Sequence, residues 1–301
     1  MGARQWALLA ATIVSIIYGL TFTVAKDVMP AYIAPYGFIV YRVGGCVVLF
    51  WIARLFVRQR SVAASDFPRI IAAAFFGVAL NMLTFFKGLS LTTPVSAAVL
   101  MVATPVIVLL LSAIIIREKI IGIKAVGILL GLAGTAYLIL YGKPTGNASN
   151  AVLGNLLVFI NAVSYGLYLI LVKKLMDKYN AFVFVPWIYT FGFLMVLPFG
   201  WAEAAEVQWN TMPQIIIADV IFVVVFSTFL TYLLNLLSMR ELQPTTVAVF
   251  IYLQPVFASL FAIFRGSDTI TVEKMIAAAM IFTGVYLVTM KGKAVRTANE
   301  S

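Results

Sequence analysis

Histidine is absent from the 301 residues, cysteine occurs once, and only 11% of the chain is charged. Each shortage removes a class of chemistry. Without a ring nitrogen that titrates near neutrality there is no imidazole metal site and no His-dependent nucleophilic triad. The lone Cys46 forms no intramolecular disulfide and says little about redox compartment. No paired carboxylates and no serine beside a clear base stand within the apolar stretches, so an intramembrane protease or acyltransferase has nothing to work with. Nothing in the sequence implies a cofactor or a metal.

What is present is apolar. Hydrophobic residues make up 63% of the chain and the mean hydropathy is +1.06, which no soluble globule of this length sustains. Crossing roughly 30 Å of hydrocarbon takes about 20 apolar residues. Runs of that kind begin near Trp6, Ala34, Ile70, Pro94, Lys124, Ala151, Phe182, Gln214, Pro244 and Val272. The first follows Arg4 but runs too long for the apolar core of a signal peptide, so it reads as a helix. The expected fold is an all-α integral membrane protein with ten transmembrane helices. Short connections leave no room for a soluble catalytic or nucleotide-binding domain, so energy for any transport would come from a gradient.

The formal charge of +10 suggests nucleic-acid binding until the charges are placed. With the N-terminus in the cytoplasm, fifteen Lys and Arg fall inside: Arg4, Arg54, Arg58, Arg60, Arg69, Arg117, Lys119, Lys124, Lys173, Lys174, Lys178, Arg240, Lys291, Lys293 and Arg296. Five fall outside (Lys26, Lys87, Lys143, Arg265, Lys274), and Arg42 lies within a span. Such a bias is the signature of membrane orientation, with both termini cytoplasmic, and needs no nucleic acid. Short loops without an organelle address point to a bacterial inner membrane.

Half of the chain repeats. Pro94, Pro105, Glu118 and Gly134 recur 150 residues later as Pro244, Pro255, Asp268 and Gly284. The turn-rich stretch around 143–150 separates a first unit, 1–142, from a second, 151–301. Five crossings deliver the chain to the opposite face, so the second five-helix repeat inserts inverted. Secondary transporters use this layout to expose a midplane site to each side in turn. The halves also match at Tyr18-Gly19 and Tyr165-Gly166, and at Tyr41 and Gly44 against Tyr189 and Gly192. They differ where Arg42 faces Thr190, and where Asn81 and Phe85 face Thr231 and Asn235. Specificity is expected at the differences.

These residues resemble the EamA family of the drug/metabolite transporter superfamily over nearly the whole chain. The resemblance rests on Tyr18-Gly19 running to Lys26, on Arg42, and on a run such as Leu91-Thr92-Thr93-Pro94-Val95-Ser96-Ala97-Ala98 followed by Pro105-Val106 and Glu118. Asp268 and Tyr18 stand where the family more often has Glu and Trp. The resemblance implies a ten-helix, five-plus-five carrier of small metabolites or drugs, most often an exporter.

An ionisable group at membrane depth costs at least about 2.5–3.5 kcal/mol on insertion scales and is a functional candidate by default. Arg42, roughly 12 Å into span two at 1.5 Å per residue, could bind a carboxylate or phosphate through its planar fork, or could be a structural Arg on helix carbonyls. Asp219 could neutralise Arg42, could couple transport to protons, or could be interfacial. Pro105 and Pro255, at matched depths, break backbone hydrogen bonds and are candidate gates, or static kinks. Tyr18, Asn81, Phe85, Asn161, Tyr165, Tyr189, Tyr232, Asn235, Tyr252 and Gln254 complete a candidate substrate pocket, polar at points and aromatic-lined. Glu118 and Asp268 read as helix caps or salt-bridge partners. Small residues at Gly127, Gly131 and Gly134, with Ala277, Ala278 and Gly284, allow close helix approach, within the monomer or in a homodimer.

The function read from the sequence is secondary transport of a small organic solute across a lipid bilayer, with export of a metabolite or amino acid leading and a multidrug or organic-cation exporter as the alternative. A channel or structural membrane protein is the competing class, though no selectivity element or ring of like charge is visible.

Overall fold

A computed structural model describes residues 2–57, 61–91, 100–140, 150–264 and 271–290. Among them helix is the only regular structure. Hydrocarbon offers no partner to a backbone N–H or C=O, so a chain this apolar closes its hydrogen bonds within each segment.

The helical runs are α1 (Ala3–Val28), α2 (Pro35–Leu55), α3 (64–91), α4 (Leu100–Ile115), α5 (Gly122–Leu140), α6 (Ala151–Met176), α7 (Ala181–Ala205), α8 (Gln214–Ser238), α9 (244–264) and α10 (Val272–Thr289). Eight helices among the described residues are long and apolar enough to cross a membrane, and the stretches Leu100–Ile115 and Gly122–Tyr137 are apolar but shorter. Proline opens α2 and α9 at Pro35 and Pro244, where a missing N–H costs nothing. Asn150, Asn180 and Thr271 cap α6, α7 and α10 through side-chain oxygens. The third span starts earlier than its uncharged run implies, because a 3₁₀ turn over Ala64–Asp66 leads into the helix from Phe67.

Four helices are interrupted at corresponding positions. A π turn replaces regular helix at Phe75–Ala79 in α3 and at Val225–Leu230 in α8, again 150 residues apart. Helix stops at Ala103 just before Pro105, and a 3₁₀ turn over Phe250–Tyr252 stands just before Pro255. Both prolines thus sit in the first turn of a fresh segment, where they break the helix behind them rather than bend an unbroken one.

The packing partners form a regular set. α2 lies along α7, α5 along α10, and α4 meets α9. α3 packs on α6 as α1 packs on α8, α1 packs on α9 as α6 packs on α4, and α7 packs on α3 as α2 packs on α8. Exchanging each helix for the one five places away leaves this set unchanged. The small-residue faces are used within the chain: a Cβ on Gly284 would lie 2.6 Å from Gly127 O, and one on Gly127 would lie 2.7 Å from Gly284 O. That backbone contact between α5 and α10 accounts for the glycines without a second subunit.

Polar contacts gather the helix ends into two groups. At one end Arg4 donates to Thr289 O, Lys173 donates to Met239 O, and Asp66 receives Lys178 and Tyr179. Glu118, there too, pairs with Lys124 at 3.3 Å and accepts from Thr245 at 2.8 Å, the salt-bridge role expected of it; Asp268 and Pro94 lie outside the described residues, as does 143–149 of the linker. At the other end Glu203 accepts the backbone N–H groups of Tyr36 and Gly37 at 2.7 and 2.8 Å, and Tyr41 donates to Ala204 O. Large apolar side chains such as Val48, Leu110, Leu129, Leu194 and Phe282 stay exposed between the ends, where lipid would cover them.

Candidate functional site

Arg42 is the eighth residue of α2 and half-buried. Among the described residues no carboxylate pairs with it. Its Nε donates to Thr228 Oγ1 of α8 at 3.3 Å. Asp219, also in α8, is partly buried and stands nine residues before Thr228, and no ion pair joins it to Arg42 among the described residues.

Around Arg42 the structure gathers side chains from five helices. Tyr18 of α1 and Tyr232 of α8 both lie within its electrostatic reach. The hydroxyls of Tyr18 and Thr231 are 3.2 Å apart. Tyr232 stands edge-on to Tyr189 of α7 with ring centroids 5.1 Å apart, and 5.9 Å from Tyr168 of α6, which is 6.2 Å from Tyr165. Phe50 of α2 closes on Tyr189 at 4.8 Å. Rings at these separations bury large apolar area.

The two π turns frame this cluster. Tyr232 donates to Gly77 O at 2.9 Å and Ser164 of α6 donates to Phe76 O at 2.6 Å, so two carbonyls of the α3 turn are held by helices from the other half of the chain. In the α8 turn Thr228 Oγ1 donates to Val223 O at 2.7 Å, and Cys46 Sγ of α2 donates to Val224 O at 3.4 Å. π turns recur at functional sites because the widened turn frees backbone groups and shifts the side chains that follow.

Of the residues expected to form the pocket, Arg42, Tyr18, Tyr165, Tyr189 and Tyr232 come together here. The others are placed differently. Asn161 Nδ2 donates to Asn81 O at 2.7 Å and Asn81 Nδ2 to Asn161 O at 3.4 Å, a reciprocal tie between α3 and α6. Phe85 stacks edge-on against Phe86 at 5.4 Å, and Asn235 is partly buried further along α8. Tyr252 is fully buried in a separate apolar cluster with Ile128 and Val285, its ring where a side chain on Gly131 would sit. Gln254, partly buried, faces Gly19 of α1 with its backbone carbonyl. Thr190, opposite Arg42 in the repeat, accepts from Trp51 Nε1 at 3.0 Å and donates to Pro186 O at 2.8 Å, so the exchange of Arg for Thr changes a potential anion ligand into a helix tie.

The sequence reading missed Thr228, Gly77, Tyr168 and Ser164 as parts of the site. Tyr168 could have been found from its i+3 spacing to Tyr165. Gly77 and Thr228 have no such signal, since their roles depend on π turns that composition does not announce. An open crevice of about 380 Å³ lies apart from the cluster, lined by Lys178, Tyr179 and Arg240 at the turn between α6 and α7.

Known proteins agree with this architecture. A 25% identical relative, an uncharacterized transporter of Archaeoglobus fulgidus, aligns over 288 residues, 96% of this chain and 99% of its own. An uncharacterized transporter of Methanothermobacter thermautotrophicus is 24% identical over 96% of this chain and 88% of its own, and the uncharacterized transporter YetK of Bacillus subtilis is 24% identical over 74% and 68%. One solved protein structure superposes with a TM-score of 0.75 over 94% of this chain and 96% of that one, at 18% identity, which establishes a shared fold and no more. The EamA-like transporter family matches residues 5–140 and 152–290, once in each half. The chain therefore belongs to the EamA-like transporter family and is a membrane transporter, not an enzyme.

Proposed function

We propose that the protein is a secondary transporter that exports a small carboxylate-bearing metabolite or amino acid, with Arg42 as the substrate's charge partner. The observation that carries this reading is a half-buried guanidinium at membrane depth with no carboxylate paired to it among the described residues. A cation in that setting is costly unless a counter-charge arrives, and a transported anion supplies one. The five clustered aromatic rings provide apolar contact area beside it. Tyr18, Tyr165, Tyr189 and Tyr232 line the substrate path, and the helix breaks before Pro105 and Pro255 serve as the bending points of two gates.

Transport follows from two five-helix repeats of inverted orientation, 1–142 and 151–301, rocking about the cluster. The packing set that survives exchange of each helix with the one five later supports that relation, as do the π turns 150 residues apart. Both termini face the cytoplasm of a cell with the protein in its inner membrane, because the basic end of the bundle is the end that carries Arg4 and Thr289.

The test is a thermal-stability screen of detergent-purified protein against carboxylates, amino acids, nucleosides, sugar phosphates and cationic dyes, run in parallel on Arg42→Ala. A ligand at ten times its Kd stabilises by about 1.4 kcal/mol. Carboxylate-bearing solutes should shift the wild type and leave the variant unmoved. A second reading, export of organic cations, is favoured by the tyrosine rings, which can hold a cation on their faces. Cationic dyes that stabilise both proteins alike would make it the better one.

A further inference from the structure

We infer that Thr228, through the π turn that carries it, is the positioning residue that aims Arg42 at the substrate. This rests on the reading of Arg42 as the anion-binding group. A threonine hydroxyl has one proton to donate and two lone pairs to accept with. The Thr228 proton is committed to Val223 O at 2.7 Å, five residues back. Its oxygen can therefore only accept, and it accepts from Arg42 Nε at 3.3 Å.

The π turn creates this arrangement. In a regular α-helix a threonine hydroxyl reaches the carbonyl four residues back, here Val224 O. That carbonyl instead faces α2 and accepts from Cys46 Sγ at 3.4 Å, one helical turn on from Arg42. The wider turn over Val225–Leu230 thus leaves the two successive carbonyls just before it to other donors, Val223 O to Thr228 and Val224 O to α2. The result is a locked sequence running from Val223 O through the Thr228 hydroxyl to Arg42 Nε.

Guanidinium is planar, so fixing Nε fixes the direction of the two terminal nitrogens. With no carboxylate paired to them among the described residues, those nitrogens form a fork open to a bidentate carboxylate. Thr228 belongs to the second half and Arg42 to the first, so the fork keeps its aim only while α2 and α8 stay in register. The π turn at the matched position of α3 is tied in the opposite sense, by Tyr232 and Ser164 of the second half. The anion site is therefore made from both halves, with the π turns as its two fixed points.

The experiment compares benzoate with benzamide, which share ring and shape but differ in the charge that Arg42 would read. Binding is measured by thermal shift in detergent for the wild type, Thr228→Val, Thr228→Ser and Arg42→Ala. Thr228→Val should reduce the preference for benzoate over benzamide about tenfold, and Thr228→Ser, which keeps the hydroxyl, should bring it back to within about twofold of the wild type. A structural role alone would weaken both ligands together or lower only the unliganded midpoint, and that outcome overturns the inference. If Thr228→Val does not fold, Thr228→Ala and Thr228→Ser carry the same comparison. Thr228→Val matching the wild type while Arg42→Ala loses benzoate sinks the positioning role alone. Wild type and Arg42→Ala responding alike to benzoate sinks the Arg42 reading and this inference with it.

Discussion

The hydroxyl of Tyr232 donates to the carbonyl of Gly77 at 2.9 Å across 155 residues of sequence. Gly77 lies in the middle of the α3 π turn, and the ring of Tyr168 covers the spot where a side chain would stand. One contact thus joins the two halves at the point where α3 departs from regular helix. Replacing Tyr232 with Phe removes the donor, keeps the ring and takes this hydrogen bond from the Gly77 carbonyl. The expected loss is about 1–2 kcal/mol, read as a lower unfolding midpoint in detergent; an unchanged midpoint would mean that the carbonyl finds another partner.

Gly77→Ala acts on the same place sterically. The added Cβ would meet Tyr168 Cδ2 at 2.1 Å, so the ring must move and the cluster behind it must repack. Overpacking of this kind costs about 1–3 kcal/mol. Shortening Tyr168 to Ala in the same chain should recover part of that cost, and a double-mutant cycle measures how much. Strict additivity of the two changes would place the damage somewhere other than this contact.

At the α5–α10 crossing the obstruction is backbone. A Cβ on Gly284 would lie 2.6 Å from Gly127 O and 2.7 Å from Gly131 N, neither of which can rotate away. Gly284→Ala should therefore destabilise by about 2 kcal/mol or more, while Gly122→Ala, with nothing within 4 Å of its would-be Cβ, should change stability by no more than about 1 kcal/mol in either direction. Heat-induced unfolding of the two variants side by side separates the cases.

Glu203 holds the start of α2 through two N–H donors, those of Tyr36 and Gly37. Carboxylates at a helix N-terminus gain from both the hydrogen bonds and the helix dipole. Glu203→Gln keeps an acceptor and loses the charge, and should cost about 0.5–1 kcal/mol, whereas Glu203→Ala should cost about 1–3 kcal/mol. Equal midpoints for the two variants would assign the whole effect to the charge, and a Gln variant matching the wild type would assign it to hydrogen bonding.

Orientation is open to chemical labelling. Cys46 is fully buried, so the parent chain supplies a silent background for a membrane-impermeant maleimide. Asn210→Cys and Glu241→Cys place thiols at exposed positions on opposite ends of α8. In intact cells the first should label and the second should label only after the membrane is opened; the reverse pattern would invert the proposed topology.

The sequence was enough to establish an all-helical membrane transporter, because lipid demands apolar runs with internally satisfied backbones and such runs are visible one residue after another. The repeated prolines and glycines located corresponding points in the two halves, and Arg42 announced itself by the cost of its charge. Tyr18, Tyr165, Tyr189 and Tyr232 were legible for a similar reason, as polar tips inside apolar spans. Tertiary structure decided what those residues do with one another. It sent Tyr252 to the packing cluster over Gly131, tied Asn81 to Asn161, closed the glycine faces of α5 and α10 within one chain, and brought Thr228 beneath Arg42. Such choices depend on which helix faces meet and on where a helix widens into a π turn. Both are set by contacts between residues 80 or more positions apart, which local periodicity does not encode.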